Sequence, residues 1–379
     1  MRILLVLDQF DGANNGNTNS ARRLRDTLIR HGHEVRVAAQ GESREGEKYG
    51  FPLYHLPVFD KLVTAQGFTF ASRDRKTMQE AVEWADVVHV MMPFALSRSA
   101  VFEARRQGKP VTGAFHVQPE NIWYSVHLGN CKPIIDFTYF GFRKYIFQYL
   151  HHIHCPSNMI RSQLEKHRYK ADFRVISNGI EPDIVYHKNP KDPEFEGKIL
   201  IVMSGRYSGE KRQDVLIDAV KKSKYKDRIV LYLAGQGPMK AHYEKLCADL
   251  PNKAVMKFLT KAELQRLFGM ADLYVHTSDA EIEAMGCMEA FASGLVPVIS
   301  NSTNRSATPQ FALDERSLFK PGDSSDLAEK IDWWIEHEDE RKRMEHLYAE
   351  EADRFRLDDC VDKMEQMFHD EIARVAAQG

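Results

Sequence analysis

The sequence predicts an α/β protein of two doubly wound, Rossmann-like domains, and three observations lead there. Short apolar runs rich in Val, Ile and Leu recur along the chain, from Arg2–Asp8 (RILLVLD) to Val296–Asn301 (VPVISN). Amphipathic stretches of helical period separate them, as in Ala21–His33 (ARRLRDTLIRHGH) and Asp214–Ser223 (DVLIDAVKKS). A run without polar alternation marks a strand buried on both faces, the condition of a parallel sheet, and parallel pairs need crossovers of helix length. The alternation stops once, at the proline- and charge-rich His187–Lys198 (HKNPKDPEFEGK), and then restarts. A chain of 379 residues exceeds what one core ordinarily holds, so the interruption reads as a domain boundary.

The first half opens with the strand RILLVLD, a polar loop Gly12–Ser20, and a basic helix stopped by Gly32 before the strand Glu34–Ala39. Asp86–Met92 and Pro110–His116 repeat the unit around the helical Ser97–Gly108, and His152–Ser157 and Phe173–Ser177 extend it. After the interruption, Lys198–Gly205, Ile229–Gly235, Ala254–Leu259, Asp272–Ser278 and Val296–Asn301 read as strands. Helices follow at Asp214–Ser223 and Met239–Leu250, from Lys261, and around Met288. Sequence from Ser324 onward is helical and breaks around Phe355–Asp359. The expected domains are 1–192 and 193–355, with a final helix over 356–379.

Composition narrows the function. With 43% hydrophobic and 28% charged residues and no biased tract, the chain is an ordinary globular protein. Its formal net charge of −2 gives no sign of a nucleic-acid partner. Up to Phe195 there are 26 Lys/Arg against 21 Asp/Glu, and the remainder is acidic. A basic first half suits a negatively charged partner. Five scattered cysteines without a CxxC spacing fit a reduced, cytoplasmic chain. The apolar start is closed at once by Asp8 and no run approaches a bilayer span, so any contact with the inner face of a membrane is expected to be peripheral.

The densest chemical signal follows the strand Lys198–Gly205. Arg206 comes directly after it and Lys211 five residues later, near a helix start. One bidentate and one mobile cation, with helix N-terminal amides beside them, suit a diphosphate. Leu233–Pro238 (LAGQGP) ends a strand with Gly235 and Gly237, either a tight turn or a place where backbone meets ligand. Glu281 and Glu289 lie eight residues apart, which on one helix would set them roughly 80° apart. A loop holding Glu281, then a helix beginning near Ala284–Gly286 that carries Glu289, lets each accept from a different hydroxyl pair.

Taken in order, these motifs carry a resemblance. Gly205–Ala219 (GRYSGEKRQDVLIDA), LAGQGP, Ala271–Ser278 (ADLYVHTS), Glu289–Ile299 (EAFASGLVPVI) and Phe319–Asp323 (FKPGD) are similar to those of the retaining glycosyltransferases of family four. Gly113–His116 (GAFH), Cys155–Ser157 (CPS) and Val175–Pro182 (VISNGIEP) stand where that family has counterparts. The resemblance implies a GT-B fold, two such domains facing each other across a cleft, with the last helix returning to the first. It further implies Arg206 and Lys211 on the donor diphosphate, Glu281 on the sugar, Glu289 on the ribose and Leu259 by the nucleobase. Gly16, Gly235 and the amides of Ala284, Met285 and Gly286 would approach the donor, and His116 the reacting carbon. The sequence departs from the family pattern at Glu283 and Ala284, where an aromatic residue and a glycine are usual. Glu281 and Glu283 both remain candidates for the sugar contact.

The reaction so implied moves a hexose, glucose or galactose, from a UDP-sugar to a lipid, glycolipid or other saccharide acceptor with retention and without cofactor or metal. The chain contains no Asp-x-Asp pair. A transferase of capsule or exopolysaccharide assembly, and a sugar-nucleotide epimerase on the same scaffold, are the alternatives. His116 is either a general base, an orienting group or a packed histidine at a strand end. His151, His152 and His154 alternate sides on entering a strand and are expected to find no carboxylate or cysteine partner, which argues against a metal. Tyr139–His152 interleaves aromatics with Arg143 and Lys144 and reads as a core helix or a seat on an anionic membrane. Acceptor contacts are expected from Asn14–Asn19, Lys61–Ser72 and Val117–Gly129, with Ser72 capping the next helix.

Overall fold

The computed structural model describes residues 1–12, 16–55, 68–124 and 128–378. Of the expected ligand loops, Asn14 and Asn15, residues 61–67 and residues 125–127 lie outside these. The chain forms two compact units, Met1–Gly179 with Leu357–Gly379, and Ile180–Arg356. The first boundary therefore falls at Gly179–Ile180 rather than after 192, and the second at Arg356–Leu357. Residues 187–198 look like a linker but are pinned inside the second unit. The His187 ring nitrogen Nε2 lies 2.9 Å from the Gln265 carbonyl, Asn189 donates to Arg266, and Lys191 pairs with Asp272 at 2.5 Å.

In chain order the first unit has β1 (Arg2–Val6), β2 (Glu34–Gln40), β3 (Lys48–Phe51), β4 (Leu53–Tyr54), β5 (Phe70–Ala71), β6 (Val87–Val90), β7 (Val111–Ala114), β8 (His152–Cys155) and β9 (Asp172–Val175). Strands β4 and β5 form a separate antiparallel pair. The other seven make one all-parallel sheet in the order β3-β2-β1-β6-β7-β8-β9. The helix after β5, Arg75–Trp84, is capped by Asp74, which accepts from the Thr77 amide at 2.7 Å. Ser72 lies two residues too early for the expected cap.

The last helix, Leu357–Ala376, belongs to this unit. Its buried residues Leu357, Cys360, Val361, Met364, Met367 and Phe368 fall at helical spacing and join Leu5, Leu24, Val87 and Ile176 in one apolar cluster. Each such side chain contributes about 1.5–3 kcal/mol when buried, before conformational entropy is deducted. Charges add to the docking: Glu365 meets His31 at 2.8 Å and Asp370 meets Arg174 at 2.8 Å. His152 finds Glu371 at 2.8 Å and Asp172 at 3.3 Å. The expectation that these histidines have no carboxylate nearby is therefore corrected, because the returning helix brings one across 219 positions of sequence. Glu371 also takes a two-bond contact from Arg374.

The second unit has β10 (Ile199–Ser204), β11 (Ile229–Ala234), β12 (Val255–Lys257), β13 (Leu273–His276), β14 (Pro297–Ser300) and β15 (Leu318–Phe319). They form one parallel sheet in the order β12-β11-β10-β13-β14-β15. Strand order reverses between β1 and β6 in one sheet and between β10 and β13 in the other. Loops leaving such neighbours turn to opposite sides and open a crevice at the carboxyl edge, where α/β sheets bind ligands. No helix among the described residues is long and apolar enough to cross a membrane.

Candidate functional site

The two loops that flank the β10–β13 switch point carry the chemistry. Strand β10 is buried at every position and is followed by Gly205, whose φ of +148° suits a residue without a side chain. Exposed Arg206 follows, then buried Tyr207, whose hydroxyl donates to the Leu233 carbonyl at 2.6 Å. Residues Gly209–Lys211 make one 3-10 turn, and Arg212 adopts a left-handed conformation that starts the helix Gln213–Lys222. The guanidinium of Arg212 spans Asp214 and Asp279, 3.1 Å from each, and so ties the two loops together. The Asp279 amide donates to the Glu210 carbonyl, and the Thr277 hydroxyl to the Lys211 carbonyl, each at 2.8 Å.

Those ties bring Lys211 and Glu281 into direct contact although they lie 70 positions apart. Glu281 is held on both sides of its backbone, its amide donating to Arg305 and its carbonyl accepting from Ala307. Its carboxylate accepts from the Lys211 ammonium, and the His276 ring nitrogen Nε2 stands 3.3 Å away. Burial alone would raise the Glu281 pKa, but Lys211 and His276 overcome it and bring the carboxyl down to about 2. Burial likewise opposes the Lys211 charge, and Glu281 and Glu210 outweigh it and hold the ammonium above its usual range. Both groups are therefore ionised at neutral pH. Arg206 makes no ion pair among the described residues, and its charge is felt at Lys211.

Beyond Glu281 the chain turns through Ala284, which is left-handed at φ 60°, into the helix Met285–Ala292. That start agrees with the expected one. A Cβ on Gly286 would lie 2.5 Å from the Ser204 hydroxyl, so the helix opens against the end of β10. Within that first turn the Cys287 amide donates back to the Ala284 carbonyl at 2.9 Å. Glu289 is half-buried one turn further on, and Glu283 is buried beside Glu281. Of the two acids in question, Glu281 is the one joined to Lys211.

Gly235 has a nearer reason to be glycine than a ligand. A Cβ there would fall 1.9 Å from the Gly205 carbonyl oxygen, so the loop after β11 packs directly on the loop after β10. Gly237 stands in the same way against Tyr207. Leu259, just past β12, packs against the core of the unit, while its neighbour Phe258 is 47% exposed.

Gly16 and His116 belong to the first unit. Gly16 opens the helix Gly16–Arg30 after β1. His116 follows β7 and meets the ring of His154 edge-on, 5.2 Å between centroids. The His154 nitrogen Nε2 lies 2.7 Å from the Ile176 carbonyl; a carbonyl only accepts, so that nitrogen carries the proton. Burial brings His154 down to about 4 and His89, on β6, to about 3. Burial, then the neighbouring His154 and His89, take His116 well below its usual value, so all three rings are neutral. His116, His154, Ser177 and Asn178 line a small cavity that Leu357 and Val361 of the last helix close.

Sequence reasoning missed His276, Arg212, Asp279 and the His89–His154 pair. His276 sits in a strand whose four residues are all buried, and nothing in a uniformly buried run says which side chain faces a carboxylate.

Two doubly wound units, each with a switch point, define an α/β protein of the two-domain Rossmann-like class. Its family follows from comparison: the model described as Glycosyltransferase Family 4 matches residues 14–184, and that described as Glycosyl transferases group 1 matches 187–348. The chain belongs to the GT-B glycosyltransferases of the family-4 type. An alpha-monoglucosyldiacylglycerol synthase of Streptococcus pneumoniae is 25% identical over 327 residues, covering 79% of this chain and 71% of the relative. A GDP-mannose-dependent alpha-mannosyltransferase of Corynebacterium glutamicum is 26% identical over 317 residues, covering 79% and 72%. Among solved structures, Anabaena HepE in complex with UDP and glucose superposes with a TM-score of 0.75 at 15% identity, over 98% of this chain and 100% of that one.

Proposed function

We propose that this glycosyltransferase moves a hexose from a nucleoside diphosphate sugar, UDP-glucose or UDP-galactose, to a hydroxyl of a lipid or glycolipid at the inner face of a membrane. The observation that carries the donor half is the Lys211–Glu281 pair at the second unit's switch point, beside Arg206, which makes no ion pair among the described residues. Departure of a nucleoside diphosphate develops negative charge on the β-phosphate, and preorganised donors stabilise it. Arg206 offers a planar fork, Lys211 has two further N–H donors beside the one directed at Glu281, and the amides of Ala284, Met285 and Gly286 open the adjoining helix. Glu281, kept ionised, can only accept, which suits sugar hydroxyls. Glu289 takes the ribose, and Leu259 lies by the base.

Such a set of donors needs no metal and no cofactor. Glu281 is already paired and so is a poor nucleophile, which favours retention by attack on the face that the diphosphate leaves. Within the first unit, His116 is kept neutral by burial and by His154 and His89, and a neutral imidazole can orient a hydroxyl. The lipid half of the proposal rests on the likeness to a diacylglycerol-modifying enzyme and on the basic first half of the chain. The likeness to a GDP-mannose enzyme makes the base the first thing to test. Purified protein offered UDP-, GDP- and ADP-sugars is expected to release UDP, and Lys211→Ala to abolish release with folding retained. Release of GDP from GDP-mannose alone would overturn the UDP assignment, and unimpaired turnover by Lys211→Ala would overturn the site.

A further inference from the structure

The proposed reaction leaves one surface of the first unit unused. Helix Lys132–Tyr145 buries Ile135 and Tyr139. Tyr139 stacks on His167 at 3.9 Å between centroids, and its carbonyl accepts from the Tyr169 hydroxyl at 2.7 Å, so this face is firmly held. The opposite face is not covered. Phe137 is 73% exposed, more than any other large apolar side chain described, and Phe140 is 47% exposed. Leu128 leads into the helix at 39% exposure and Tyr145 ends it at 38%. With 100° per residue, Pro133, Phe137, Phe140 and Lys144 fall within roughly 60° of one another, and Ile135 and Tyr139 lie roughly 160° from Phe137. The helix therefore has two apolar faces, and folding uses only one.

The charges around the uncovered face that have no ion-pair partner among the described residues are of one sign. Lys144 is exposed and makes no ion pair among the described residues. Arg143 donates to the carbonyls of His167 and Arg168, which draws in a second group of exposed cations, Lys166, Arg168 and Lys170. The acids nearby are already matched: Asp136 pairs with Lys132 and lies 3.1 Å from His167, and Glu165 pairs with Arg161. Exposed aromatics within a basic surround match a bilayer surface with anionic headgroups, where rings enter the boundary and cations meet phosphates.

We infer that Phe137 and Phe140 seat the first unit on an anionic lipid bilayer, with Lys144, Arg168 and Lys170 on the headgroups. This rests on the lipid-acceptor reading for its purpose but on its own geometry for its location, and the two fail separately. The test is co-sedimentation of the full chain with vesicles of phosphatidylcholine alone or with added phosphatidylglycerol. Wild type is expected in the pellet with anionic vesicles, less so at high salt. Phe137→Ser/Phe140→Ser should bind about 100-fold more weakly, since each buried phenyl is worth roughly tenfold or more in partition. Leu313→Ser, at an exposed leucine of the second unit, should bind as wild type does. Both variants should keep their melting points and their turnover of donor in the absence of acceptor. Equal binding by the double variant, or no binding by wild type, would overturn the inference. So would a wild-type dimer that the double variant dissolves, since that assigns the face to a second copy. Vesicle binding without any donor turnover would instead overturn the proposed reaction and leave the seat standing.

Discussion

Replacing Lys211 by methionine keeps the length of the side chain and removes the charge that neutralises Glu281. The cost can be worked from the geometry. The Glu281 carboxyl is held at about 2, against an ordinary value of about 4.3 in an unfolded chain, so its ionised form contributes about 3 kcal/mol at neutral pH. Removing one partner of a buried pair costs about 3–5 kcal/mol. The Lys211 side chain keeps 19% of its exposure and His276 remains 3.3 Å from the acid, which favours the lower end. For a unit of this size about 3 kcal/mol lowers Tm by about 6–12 °C. Thermal unfolding of Lys211→Met without nucleotide reads this directly. The sign with pH is fixed: a depressed folded pKa gives stability that is complete above about 4.5 and is lost as pH falls toward about 2. The gap between variant and wild type should therefore close as the medium is acidified below about pH 4.5. Adding Glu281→Gln to Lys211→Met should recover part of the loss, because the stranded charge is then gone. A variant that melts within about 1 °C of wild type at pH 7 would refute the claim that the pair is buried and coupled.

Gly235→Ala must push its methyl group into the Gly205 carbonyl and should cost about 3 kcal/mol, seen as a lower denaturant midpoint. His31 is opposed by burial but raised by Glu365, Asp358 and Asp362, so the stability it gives is complete below about pH 6.5 and is lost as pH rises through the elevated value. His31→Gln should thus lower the melting point at pH 6 by an amount worth about 1 kcal/mol and leave it nearly unchanged at pH 9. Glu371 is brought down to about 2, against its own burial, by Arg374 and His152. Glu371→Gln should therefore speed hydrogen exchange across Leu357–Ala376 above pH 5 and matter less in acid. Burial pushes the Cys155 thiol up to about 12, so iodoacetamide should label half-buried Cys131 well before Cys155 in the native protein.

Much of this architecture was legible in the sequence because parallel strands announce themselves. Ile199–Ser204 and Leu273–His276 are apolar along nearly their whole length and buried throughout, and each is followed by the charged residue that matters. Lys211 and Glu281 could be named together because both leave the carboxyl ends of strands, though only the fold shows that those strands are neighbours. The domain boundary was misread for a physical reason. Proline and charge at 187–198 signal a break in periodicity, yet polar groups such as His187 and Lys191 are there to bind the helix Lys261–Met270 and Asp272. Gly179 marks the real crossing. It is left-handed at φ +80°, and a Cβ on it would lie 2.7 Å from the Leu357 backbone. The second apolar face of Lys132–Tyr145 was only half legible, since an aromatic-rich stretch does not reveal which rings are covered. The pairing of His152 with Glu371 was invisible, because nothing local predicts where a distant helix docks.

That docking also sets an order of events during synthesis. The second unit is one continuous stretch, Ile180–Arg356, whereas the first is completed only by Leu357–Gly379. As a ribosome makes the chain, Ile3, Leu24, Val87 and Ile176 emerge early and wait for Met364 and Phe368 to cover them. The unit that begins first must finish last. A chain that ended at Arg356 would thus keep the second unit whole and leave the first with an open apolar flank, a natural target for chaperones that hold unfinished proteins.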